Sequence, residues 1–340
     1  MPKPIDLQTI SEQDLLATRI CDVPISIEGH KYIKNRINRL NIELKNKGIR
    51  FRPNIWISDD WFSPDGHPGF AIPFYLFHPK LIKLERKFIG FVEGTTEKTF
   101  LQLLRHETGH AIDNAFGLRR SKRRQKLFGL TKTKYPEYYH PNFKSKDYVF
   151  HLNDHYAQSH PDEDWAETFA VWLTPRSNWR KKYKGTKAEE KLLLVQSLMT
   201  GTCTVPASVR HRRKIDHFKS LRMTVREYLI EKQKRYQEKE NLPYVAELAK
   251  VFQVNTNPKI KSAARFLDKN RKIIINDLTL QTKHSDYTIN SFYQEVIDMC
   301  RQKSLKLKTT EKKSKELFKK VMLHKTKQRL KTPGANKVIM

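Results

Sequence analysis

Between 100 and 117 the apolar residues Phe100, Leu103, Leu104, Ala111, Ile112, Ala115 and Phe116 fall at helical spacing. This spacing predicts one helix with a single buried stripe. Gly117 follows the last apolar residue and predicts a left-handed stop, while Glu97 suits the positive end of the helix dipole. A second helical pattern runs through Trp165, Ala166, Phe169, Ala170, Trp172 and Leu173. Ser159 or His160 can cap it, Pro161 fits its first turn, three acids follow, and Thr174-Pro175 ends it. Further helices are expected over 26–47, 186–199 (with Thr186 and Glu189 as a capping box) and 225–239. Strand-like runs occupy 54–58 and 69–76, separated by the turn 63–66. Pro73 cannot donate to a ladder, so the second run reads as an edge strand. That edge is either simply blunted or a rail on which an extended peptide adds as another strand.

The polar interruption of the first stripe changes the picture. His106 and His110 stand at i and i+4, one turn apart on one face, where two imidazoles can hold one Zn²⁺. Glu107 sits beside them, placed to accept a proton from water rather than to ligate the metal. This is the H-E-x-x-H arrangement of zinc hydrolases. Gly109 costs about 1 kcal/mol against alanine inside a helix, and a space requirement near the metal explains it.

A catalytic zinc usually takes three protein ligands. Glu163 and Glu167 are also i and i+4, so the second helix presents a two-carboxylate face. One division puts Glu163 on the metal and Glu167 against a ligating histidine, orienting the ring. The other puts Glu167 on the metal. His151, His155 and His160 are nearby in sequence and offer a three-histidine alternative.

HETGHAIDNAFG followed by EDWAETFAVWL resembles the catalytic domain of anthrax lethal factor and its relatives, which include the Pro-Pro endopeptidases. It is also similar to a set of uncharacterised bacterial zinc-metallopeptidase-like proteins. The first group are gluzincins, with H-E-x-G-H-A-[VI]-D on one helix and E-x-x-A-E on another. The likeness covers roughly residues 50–175. It implies a zincin-like α+β domain, a single Zn²⁺ held by His106, His110 and Glu163, and metalloendopeptidase activity on a peptide or protein substrate. Glu107 would be the general base. It also implies that Tyr156, seven residues before Glu163, stabilises the reacting carbonyl oxygen. The His110–Glu163 interval is longer than in the family, and the segment 118–150 accounts for the excess.

Composition adds a second theme. Lysine and arginine number 66 against 36 acids, a formal charge of +30. Basic blocks at 119–126, 210–214 and 301–331 suit a polyanion such as nucleic acid, so a polyanion-binding protein is the competing reading. The expected division is a metallopeptidase domain over 1–240 and a basic, mostly helical or partly disordered region over 241–340. Cys21, Cys203 and Cys300 are far apart and form no C-x-x-C pair, which argues against a zinc ribbon and for a reducing compartment. The first residues lack the apolar core of a secretory signal, and no apolar run reaches 18 residues. A cytoplasmic protein with no membrane partner is expected.

Overall fold

The computed structural model describes residues 5–89, 92–136, 138–139, 141–142, 144–202, 205–237, 245–255, 257–258, 260–282, 286–331 and 338–339. Cys203 and the predicted end of the 225–239 helix lie outside them. The chain divides into two compact units, Met1–Glu137 with Lys144–Glu238, and Tyr138–Phe143 with Lys239–Ile339. Its class is α+β, with helices dominant and the strands in small two-stranded sheets.

In the first unit the H-E-x-x-H helix spans Glu97–Phe116 and is called the histidine helix below. Its N-cap is Thr96, in a reciprocal capping box with Thr99, and Gly117 closes it in the left-handed conformation. Arg105 fixes its N-terminal half. The guanidinium donates through Nε and Nη2 to the two carboxylate oxygens of Glu43, both at 2.7 Å, on the helix Lys31–Asn46. Asn114 fixes the other end. Its amide donates to the carbonyls of Pro64 and His67 and accepts from Gly66 N–H, which pins the predicted 63–66 turn.

The second patterned helix, Pro161–Leu173, is the carboxylate helix. His160, not Ser159, caps it: His160 Nδ1 accepts from Asp162 N–H. Both helices are buried almost all round, which is why each carries small or polar residues where it meets the other. Trp165 is fully buried, and its indole N–H donates to the carbonyl of Gly109 at 2.9 Å.

The strands Asn54–Ser58 and Gly69–Pro73 pair in parallel, Asn54 opposite Gly69. The second lies at the edge of this two-stranded sheet, as expected, and the edge is blunted. All five of its residues are buried, and the N–H of Ala71 is taken by Phe62 O at 2.9 Å. After Pro73 the chain enters a 3₁₀ turn, Phe74–Phe77, so the strand stops three residues before Leu76. Of the two readings of that edge, this favours the blunted one over the peptide rail. The basic block 210–214 is neither helix nor tail. Carbonyls of Arg213, Ile215 and Asp216 accept from the side chains of Asn54, Trp56 and Ser58, so it forms a strap along the first strand. Arg210, Arg212, Arg213 and Lys214 remain exposed on it.

The second unit has its own core, including Phe252, Leu267, Ile274, Tyr293, Phe318 and Met322. It holds the helices Ala263–Thr282, Asp286–Gln302 and Glu311–Lys331 and an antiparallel pair, Phe252–Val254 with Leu305–Leu307. The lysine-rich stretch expected as a helix or loose tail is thus a helix that buries Ser314, Phe318 and Met322. Cys21 and Cys300 are buried free thiols. Among the described residues, no helix is long and apolar enough to cross a membrane.

Behind the carboxylate helix, Lys191 of the helix Lys187–Thr202 is 2% exposed and donates to Asp164 Oδ2 at 2.6 Å and to Asp147 O at 2.8 Å. Replacing one member of a buried pair strands the other, so Lys191→Met is expected to cost about 3 kcal/mol in urea unfolding. Burial pushes the Asp164 carboxyl up to about 7 even with Lys191 beside it. Without Lys191 that carboxyl is raised further, so the deficit should grow as pH rises through about 7 and shrink below it. A loss under about 1 kcal/mol at pH 8 would contradict this account of the pair.

Candidate metal centre

The two key helices cross at Gly109 and Ala166. A Cβ added to Gly109 would lie 2.9 Å from Ala166 Cα and 3.2 Å from its carbonyl oxygen. The space that Gly109 preserves is thus filled by the backbone of the carboxylate helix. Ala166 lies between Glu163 and Glu167, so this crossing sets both carboxylates against the histidine face.

Glu163 Oε2 lies 3.0 Å from His106 Nε2 and 3.2 Å from His110 Nε2, and the two Nε2 atoms are 3.2 Å apart. Ligand atoms about 2.0–2.1 Å from a tetrahedral zinc stand about 3.3 Å from one another. The three atoms therefore have the size of one face of a zinc tetrahedron. Among the described residues this is the group of His, Cys, Asp or Glu side chains that could hold a metal ion.

Glu167 sits elsewhere. Its Oε1 accepts from His106 Nδ1–H at 2.8 Å, and its Oε2 accepts from Leu152 N–H at 2.8 Å. This contact fixes the orientation of the His106 ring, with Nε2 facing Glu163 and His110. His151 is committed away from the centre: its Nε2 pairs with Gln102 O, while its own carbonyl accepts from the Gln102 amide. His160 is used as a cap, and His155 packs against Phe150 with a positive φ of 53°. None of these three joins the cluster.

Electrostatics follow from the close packing. Burial opposes protonating His106, yet its hydrogen bonds to Glu163 and Glu167 outweigh this and hold its pKa well above the usual range. Burial and the Glu163 anion act in the same opposed way on His110, and its pKa is also raised. Burial would raise Glu163, but His110 and His106 overcome it and hold the carboxyl well below its ordinary value. The carboxylate and the two imidazoles thus stabilise one another's charged forms. Burial pushes the Glu107 carboxyl up. Glu107 Oε2 is buried with no hydrogen-bond partner among the described residues, which leaves a place for a polar ligand such as water.

Tyr156 lies on the turn Asn153–Gln158, its ring 5.6 Å from that of His106. Tyr135, which the sequence reading did not single out, reaches the centre as well. Its hydroxyl donates to Glu163 Oε1 at 2.8 Å. The only signal for it in the sequence is the aromatic richness of 127–150. Asp113, Arg124 and Asp162 form another unforeseen group. Arg124 is wholly buried and donates to both carboxylates, at 3.1 and 2.9 Å, tying the two helices together.

Residues 92–201 match the model of a family described as "Putative zinc-binding metallo-peptidase". The matched stretch contains both helices and the segment between them, and it speaks for a zinc-binding peptidase in this part of the chain. It carries no information on the likeness to lethal factor. No curated protein and no solved structure matches the chain.

Gly109→Ala tests the crossing. In an isolated helix it would stabilise by about 1 kcal/mol. Here the added methyl meets backbone, and overpacking of this kind costs about 1–3 kcal/mol. A lower melting temperature is expected, and a variant more stable than wild type would refute the close approach.

Proposed function

We propose that the first unit is a zinc-dependent metallopeptidase of the gluzincin type, with a zincin-like arrangement of its two helices. The observation that carries this reading is the triangle of His106 Nε2, His110 Nε2 and Glu163 Oε2, with sides of 3.0–3.2 Å. These three residues would hold one Zn²⁺, and Glu167 would keep His106 in the tautomer and orientation that ligation needs. When bound, zinc supplies Lewis acidity, polarising a scissile carbonyl and making water acidic near neutral pH.

The remaining steps belong to the chain's own side chains. Glu107 accepts the proton of the attacking water and passes it to the leaving amine. Its unpartnered Oε2 and its pKa, raised by burial, suit a group that must carry a proton between two sites. Tyr156, beside His106, donates its hydroxyl hydrogen to the carbonyl oxygen as negative charge builds there. The substrate is a peptide or protein.

Two sets of variants test these roles. Purified wild type should contain one zinc per chain, Glu163→Ala should lose it, and Glu167→Ala should bind it more weakly. Retention by Glu163→Ala with loss in Glu167→Ala would reverse the two roles. Glu107→Gln should keep zinc and lose at least about 100-fold in peptide hydrolysis, the scale of general acid–base catalysis. Full activity in that variant would remove Glu107 as the base.

A second reading is favoured by the exposed arginines and lysine of the 210–214 strap and by the basic helices of the second unit. They would bind a polyanion such as nucleic acid through its phosphates. The full chain should then bind duplex DNA with an affinity that falls steeply as salt rises. Binding that ignores salt, or none at low salt, would discard this reading.

A further inference from the structure

The segment 129–135 follows the short helix Lys122–Phe128, and its alternate residues all meet the first turn of the carboxylate helix. Gly129, at φ +100°, lies so close that an added Cβ would be 3.0 Å from Pro161 Cγ. Thr131 Oγ1 donates to Asp162 Oδ1 at 2.8 Å, and Arg124 donates to the same oxygen. His160 Nδ1 accepts from Asp162 N–H, so its proton is on Nε2, which donates to Thr133 O at 2.7 Å. Tyr135 donates to Glu163 Oε1, and its ring stacks on His160 with centroids 3.6 Å apart and planes 14° apart.

We propose that this segment is a clasp that sets how Glu163 meets the metal, with Tyr135 as the positioning residue that restricts the carboxylate to one ligating oxygen. The inference rests on Glu163 being a ligand. A carboxylate can bind a cation through one oxygen or both. Here Oε2 faces the two imidazoles, and Oε1 is occupied by the Tyr135 hydroxyl. The hydrogen bond fixes the rotation of the carboxylate and withholds the second oxygen, so a coordination position stays open for water and substrate. The His160 ring holds the phenol in place from below. That ring is itself fixed at both nitrogens, by the start of the carboxylate helix and by the clasp.

The test uses the full-length protein with Zn²⁺ and Co²⁺ as probes. Tyr135→Phe keeps the ring and its stacking and removes only the hydroxyl. Tyr135 is 45% exposed, so little burial is at stake and the metal-free protein should melt as wild type does. Its zinc affinity, measured by competition with a chromophoric chelator, should fall by about 10- to 100-fold. The Co²⁺-loaded variant should show weaker visible bands than wild type, because the freed oxygen raises the coordination number. His160→Ala, which removes the stacking platform, should shift both readouts in the same direction. Zinc affinity within twofold of wild type and an unchanged cobalt spectrum for Tyr135→Phe would overturn the clasp. So would a lower metal-free melting temperature with no spectral change, which would mark the tyrosine as merely structural. Wild type that takes up neither metal would overturn the ligand assignment itself, and the clasp with it.

Discussion

The close crossing of two helices at Gly109 and Ala166 is the constraint on which the rest of the centre depends. With the added Cβ of an alanine only 2.9 Å from Ala166 Cα, the helices would have to part. At the observed separation, Glu163 reaches both imidazoles and Glu167 reaches the far nitrogen of one. A carboxylate side chain is short, so parting the helices here would pull Glu163 away from the imidazoles. The Trp165 indole, donating to the Gly109 carbonyl, adds a directional bond at the same point.

Buried charges hold that crossing from several sides. Arg105 ties the histidine helix to Glu43, Arg124 bridges Asp113 and Asp162 across the two helices, and Lys191 pairs with Asp164 from behind. Such pairs add modest net stability, because desolvation offsets much of their attraction. Their directionality is the more useful property. Each can be satisfied only at one relative placement of the elements, so together they specify the geometry that the apolar contacts alone would leave loose. The polar face of each helix is therefore divided between residues aimed at the centre and residues that hold the frame.

Much of the site was legible in the sequence because helices convert spacing into geometry. His106 and His110 share a face by the i, i+4 rule, as do Glu163 and Glu167, and the apolar residues around both pairs predicted the helices that carry them. Which of Glu163 and Glu167 faces both imidazoles was not legible from the residues alone. It depends on the register of one helix against the other, which the Gly109–Ala166 contact sets. Tyr135 was missed because a loop has no periodicity to announce which side chains converge. The strand at Gly69–Pro73 was legible as an edge from Pro73, but nothing local shows that Phe62 returns to blunt it by pairing with Ala71. The core of the second unit was obscured by lysines that outnumber the few residues, such as Phe318 and Met322, that bury.

The most direct measurement is a crystal structure of the zinc-loaded protein with anomalous data collected across the zinc absorption edge. The account predicts one strong peak per chain, about 2.0–2.2 Å from His106 Nε2, His110 Nε2 and one oxygen of Glu163. Glu167 should remain on His106 Nδ1. A peak bonded to Glu167 in place of Glu163, or no peak between the two histidines at full zinc loading, would contradict it.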